Sequence, residues 1–152
     1  MIKERVVLKK SIFPASQEVI WGKLQQLRTL QYIAFPFASF TPLKNTEDLL
    51  WSEGETFHFR FKLFSLLSLG THTIHVLRFD NSSYEIYTNE TNTHVPLWNH
   101  RIYLKFIDDY TTEYTDEVEI YAGWKTIFVY IWAKLFYSHR QKKWMKMLKS
   151  IR

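Results

Sequence analysis

The sequence predicts an α+β domain. One curved antiparallel sheet of about six to seven strands grips a long C-terminal helix, with two short helices after the first strand. Three observations carry this. From Phe37 to Tyr121 the hydrophobic period is two. It is helical between the first strand and Phe37, and again from about Thr126 to Lys149. And a single sheet with one apolar face needs a cover, for which the long terminal helix is the available element.

The elements follow in order. "RVVLKKSIF" is apolar and β-branched and reads as the first strand. In "FPASQEVIWGKLQQLRTLQYIA", Ser16 is placed to cap a helix, with Glu18 in its first turn. Val19, Ile20, Leu24 and Leu27 then recur at helical spacing. A second short helix is expected from about Thr29 to Phe35, ended by Pro36. "TFHFRFKLF" alternates most clearly: Phe57, Phe59, Phe61 and Leu63 face one way, His58, Arg60 and Lys62 the other. "THTIHVLRF" and "YEIYTNET" are further strands across the turn "DNSS". The apolar "SLLSLG" between strands reads as a bend or loop. "LWNHRIYLKFI" and "TEYTDEVEIY" form a hairpin across "DDYT", in a register that sets Leu104 near Asp116 and His100 near Ile120. In the long helix, Ile127, Phe128, Ile131, Trp132, Leu135, Met145 and Leu148 suggest the apolar stripe.

The 152 residues fit one domain, 1–152, able to bury a core without staples. With no cysteine, disulfides, thiolate metal sites and a cysteine nucleophile drop out. The N-terminus has no apolar run of signal-peptide length. The longest apolar stretch, "TIFVYIWAKLFY", contains Lys134 and falls short of the roughly 20 residues that span a bilayer. The expectation is a soluble cytoplasmic protein. The net charge of +5 is lopsided: the residues after Glu119 carry +8, and the first 119 sum to −3. Basicity confined to one segment is no argument for nucleic acid, and none is expected as a partner. The 12 Phe, 9 Tyr and 6 Trp suit either a large core or a wide cavity.

This order of elements, together with "FPASQEVIWGKLQQLRTLQYIAFP", "LWNHRIYL", "YTDEVEIYAGW" and "FYSHRQKKWMKML", resembles the helix-grip (SRPBCC) superfamily of START domains, Bet v 1-like proteins and polyketide cyclases. The resemblance covers essentially the whole chain and is nearest to the small bacterial members. It implies a sheet wrapped round the terminal helix with an apolar cavity between them. It also implies a hydrophobic small-molecule partner, such as a lipid, sterol or polyketide. Some members catalyse cyclisation or hydrolysis, but the superfamily shares no catalytic set, so the resemblance carries no active site over by position.

The expected ligand wall is Phe57, Phe59, Phe61 and Trp98 from the strands, with Phe128 and Trp132 from the helix. Asp116 falls on the inward face with Tyr114, Val118 and Ile120, where a bare carboxylate is costly. Two roles are open to it: a hydrogen-bonded structural acid, or a ligand anchor paired diagonally with His100. Glu90 alternates with Ile86 and is placed to face inward near a cavity mouth. Arg78, Tyr87 and Tyr103 are weaker candidates. His72 and His75 are three apart on a strand and point to opposite faces, and no three ligands converge, so no metal is expected. With only 4 Gly, the chain has no phosphate loop or nucleophile elbow, and no cofactor is expected. The basic tail "HRQKKWMKMLKSIR" reads as the solvated end of a core helix, or as a surface for acidic membranes. Three functions therefore stand side by side: a hydrophobic-ligand binder, a cyclase- or hydrolase-type enzyme using the cavity's polar residues, and a membrane-surface or protein-interaction module. Oligomeric state is not legible.

Overall fold

A computed structural model describes residues 3–44 and 49–151. Strand β1 (Arg5–Phe13) leads into α1 (Gln17–Leu24) and α2 (Leu27–Ala34). Six strands follow: β2 (Ala38–Pro42), β3 (Thr56–Leu63), β4 (Leu67–Asp80), β5 (Glu85–Thr91), β6 (Leu97–Asp108) and β7 (Thr111–Tyr121). A 3-10 turn, Gly123–Lys125, introduces α3 (Thr126–Ser150). All strands belong to one antiparallel sheet in the order β1-β7-β6-β5-β4-β3-β2, so the first strand closes onto the last.

The expected α+β arrangement is present, and local chemistry explains its joints. The Val19 N–H donates to Ser16 Oγ at 3.3 Å, the N-cap that the sequence indicates. The apolar spacing runs from Leu24 to Leu27 as if one helix continued. The chain breaks there because backbone bonds run instead from Trp51 N–H to Gln25 O (3.1 Å) and from Leu27 N–H to Leu49 O (3.3 Å). The second helix accordingly begins at Leu27 rather than Thr29. "SLLSLG" is only in part a loop: Phe64 and Ser65 turn at positive φ, and β4 resumes at Leu67. Irregularities in pairing between Arg60 and Lys62, Val76 and Arg78, and Phe106 and Asp108 bend their strands, giving the sheet its curl.

The β6–β7 register differs from the sequence expectation by two residues. A tight turn at Asp109–Tyr110 sets Asp108 opposite Thr111, and the bulge at Ile107 takes up one residue. Leu104 thus faces Tyr114, Ile102 faces Asp116 and His100 faces Val118. A shift of two residues keeps every side chain on its expected face. In this register His100 stands opposite Val118, two residues from Asp116, which makes the two diagonal neighbours.

The face that α3 buries is not the one with the most aliphatic residues. Ala133, Phe136, Tyr137, Arg140, Gln141, Trp144 and Leu148 point inward. Phe128, Ile131 and Leu135 are 64%, 52% and 58% exposed, and Ile127 is also exposed. Both faces of the helix's first half are apolar, so its period alone does not choose between them. Packing chooses: Trp144 fills the space beside Phe13 and Tyr114, its ring 5.7 Å from each. The tail is thus no purely solvated end. Arg140 and Trp144 are core residues, whereas Lys142, Lys146 and Lys149 are exposed. Arg152 lies outside the described residues.

Truncation separates the two helix faces. Trp144→Ala is expected to cost about 3–5 kcal/mol of unfolding free energy, and Leu135→Ala no more than about 0.5 kcal/mol. Urea titration measures both, and equal costs would mean that α3 is rotated from the orientation described.

Candidate functional site

Between the concave face of the sheet, α2 and α3 lies a cavity of about 500 Å³. Its wall is mainly apolar: Phe40 and Phe61 from β2 and β3, Ile74 and Val76 from β4, Trp98 from β6, and Trp132 and Phe136 from α3. Exposed Trp124 and Phe128, with Lys125, stand where it meets solvent.

The polar part of the wall is a chain of buried side chains crossing four neighbouring strands. It comes from the alternation that brings His72, Glu90, His100 and Asp116 of β4 to β7 onto one face. Asn92 Nδ2 donates to Nδ1 of His72 at 3.0 Å, leaving Nε2–H to donate to Glu90 Oε1 at 2.8 Å. The Thr88 hydroxyl donates to Glu90 Oε2 at 2.7 Å. His100 stands between the two carboxylates. Its Nδ1 is 3.8 Å from Glu90 Oε2 and its Nε2 is 2.7 Å from Asp116 Oδ1. Asp116 accepts further from Gln141 Nε2 on α3 at 3.0 Å and from the Tyr114 hydroxyl at 3.4 Å. Gln141 in turn donates to the Lys9 carbonyl at 2.9 Å and accepts from the Ser11 hydroxyl. His72, Thr88, Glu90, Asn92 and His100 line the cavity; Asp116 and Gln141 stand behind them.

Burial and partners oppose each other throughout this chain, and the partners win at three groups. Burial drives the Asp116 carboxyl up, but the bond from His100, the charges of His100 and Arg140, and Gln141 hold it below its ordinary value. Burial likewise opposes ionisation of Glu90, which His100 and His72 nevertheless hold far below the carboxylate range. Burial pushes His100 down, and the bonds to Asp116 and Glu90 lift it above its ordinary value. For Tyr114 and Tyr137 burial prevails, and both phenols are held well above their usual range.

Arg140 also lines the cavity. It is 5% exposed, and its guanidinium lies over the Tyr137 and Phe136 rings at 5.0 and 5.5 Å. Its Nε is buried without a hydrogen-bond partner, and it forms no ion pair among the described residues.

Of the residues singled out in the sequence, Phe61, Trp98, His100, Phe128 and Trp132 are on the cavity wall. Phe57, Phe59 and Asp116 are not. Phe57 packs edge-on to Trp51 at 5.0 Å. Phe59 is fully buried under Trp51 and Phe40, which take its place on the wall. Asp116 has no exposure, its oxygens taken by protein donors, so of its two open roles the geometry displays the hydrogen-bonded one. Glu90 faces inward. Arg78 is solvated beside Asp80 and Glu85, and Tyr87 lies on the outer face under Arg101. Arg140, His72 and Gln141 were not legible as site residues. Arg140 and Gln141 sit in a run rich in lysine, and His72 shows only as half of a diverging histidine pair.

Comparison with solved structures matches the whole chain. A START superfamily protein from Mycobacterium smegmatis superposes with a TM-score of 0.74 at 15% identity, covering 97% of this chain and 99% of that one. Ara h 8.0201 does so with 0.70 at 10% identity, covering 97% and 99%. A conserved protein from Geobacillus kaustophilus gives 0.69 at 16% identity, covering 96% of each. No family model matches the sequence, and no curated protein matches it. The likeness is one of fold, and that fold is the helix grip. No helix among the described residues is long and apolar enough to cross a membrane.

The polar chain predicts a pH profile. Carboxylates held below their unfolded values stabilise the fold above about pH 4, and that contribution is lost as pH falls. A histidine held above its unfolded value stabilises fully below about pH 6.5, and that contribution is lost as pH rises through the folded value. Stability is therefore expected to peak between roughly pH 4.5 and 6.5 and to decline toward pH 9. In Asp116→Asn the alkaline decline flattens, because His100 loses its main partner. Urea titrations of both proteins across that range test this; parallel declines would refute the coupling.

Proposed function

We propose that this helix-grip chain binds an apolar small molecule, of the kind that lipids and polyketides represent, between its sheet and α3. The observation that carries the reading is the cavity itself: about 500 Å³, walled mainly by aromatic and aliphatic side chains, with buried polar groups of β4 to β6 and α3 (His72, Glu90, His100 and Arg140) on part of its wall. Such pockets bind by removing apolar surface from water, at about 25 cal/mol per Å² before ordering costs, and use a few polar groups to orient the ligand. The likeness of fold to a START superfamily protein supports this reading. So does the position of Asp116, which is bonded to protein behind the wall and thus suits orienting His100 more than reacting with a substrate. The inward placement of Trp144 and Arg140 weighs against the tail as the working surface.

N-phenyl-1-naphthylamine, a neutral fluorophore that brightens in apolar surroundings, tests the reading. One equivalent is expected to bind saturably. Ile74→Trp, which fills the cavity from β4, is expected to weaken binding by about tenfold or more while circular dichroism stays unchanged. Native mass spectrometry of the purified protein is expected to show a released apolar molecule, or an apo mass that takes up the dye. A folded protein that neither carries such a molecule nor binds the dye would end the proposal.

A further inference from the structure

Arg140 is the observation that binding of an apolar molecule leaves unexplained. A guanidinium keeps its charge at any working pH and offers five N–H donors in its plane. Buried, it needs acceptors, and the two nearby carboxylates do not supply them. Glu90 is committed to His72 and Thr88, Asp116 to His100, Gln141 and Tyr114. The Tyr114 hydroxyl also meets the guanidinium, and the Tyr137 and Phe136 rings lie under the cation rather than at its edge. That residue is on the cavity wall, and its Nε has no partner.

Resting on the reading above, we propose that Arg140 anchors one carboxylate, and that the molecule the cavity takes is an apolar monocarboxylic acid. The planar fork matches a carboxylate with two parallel bonds. Charge selects a monoanion over a dianion. Glu90 and Asp116 already place two negative charges at this end of the cavity, against Arg140 and His100. Each added negative charge must be accommodated in the same poorly solvated space. The apolar walls take the remainder of the molecule, and the mouth beside Trp124 and Phe128 admits it.

The test measures displacement of N-phenyl-1-naphthylamine by decanoate, decanol and decyl phosphate at neutral pH. In the wild type, decanoate is expected to bind about tenfold or more tightly than decanol, and more tightly than the phosphate. Arg140→Met is expected to bring decanoate down to the level of decanol, each displacement being corrected for the dye's own affinity for that protein. Decanol equal to decanoate in the wild type overturns the anchor, as does a gap that survives in a folded Arg140→Met. Decyl phosphate binding tightest overturns the choice of carboxylate. If the variant does not fold, the wild-type contrast decides alone. Dye and decanol binding without decanoate sinks the anchor and leaves the apolar-ligand reading standing; no binding by any of the four sinks both.

Discussion

A carboxylate with no exposure on the inner face of the sheet is the constraint around which this structure is arranged. Asp116 can be ionised there only because donors reach it from separate elements: His100 on β6, Tyr114 beside it on β7, and Gln141 on α3. Gln141 also bonds to Lys9 and Ser11 on β1. One helix residue thereby fixes the rotation and depth of α3 against two adjacent strands. Directional bonds in a poorly solvated interior tolerate little displacement, so the rotation is well determined. Once Gln141 faces inward, Arg140, Tyr137 and Trp144 must do so as well, and Ile131 and Leu135 must face out.

The interior on either side of this chain differs in kind. Toward one end Phe13, Tyr114 and Trp144 interlock as a filled core. Toward the other, aromatic rings from β2, β3, β6 and α3 stand round an open volume. The open part sits on rigid elements, so the groups that meet a ligand are held by strands and a helix rather than by loops. His100 shows the benefit. Asp116 behind it and Glu90 beside it leave its ring little freedom, and its place on the wall is set before a ligand arrives.

Much of this was legible in the sequence, and the exceptions have physical causes. Alternation gave the strands and their inward faces, because the period of two survives any even shift of register; His100 and Asp116 therefore share a face in either register, and the observed one brings them into contact. The turn itself was ambiguous, since "DDYT" accommodates a loop with or without a bulge. Phe57, Phe59 and Phe61 share a face, yet only Phe61 reaches the cavity. Whether an inward ring touches a void or another ring depends on Trp51 and Phe40, which come from other segments. The expected α3 stripe holds for Trp132, Met145 and Leu148, which pack inward, and fails for Ile127, Phe128, Ile131 and Leu135, which are exposed although they are more apolar than the buried Ala133, Arg140 and Gln141. A polar residue inside a helix's core face is invisible to a hydrophobic period, and here those polar residues are the functional candidates.

The strand order has a consequence for how the molecule is made. Phe13 pairs opposite Thr112, and Arg5 opposite Ile120. During synthesis β1 emerges before the other strands and has no neighbour until nearly the whole sheet has followed it, and α3, which seals the concave face, follows every strand. Contacts this far apart in sequence make for slow folding and leave apolar strand faces uncovered meanwhile. The nascent chain therefore passes through a long uncovered interval on the ribosome, with Val7 and Phe13 among the residues waiting for partners.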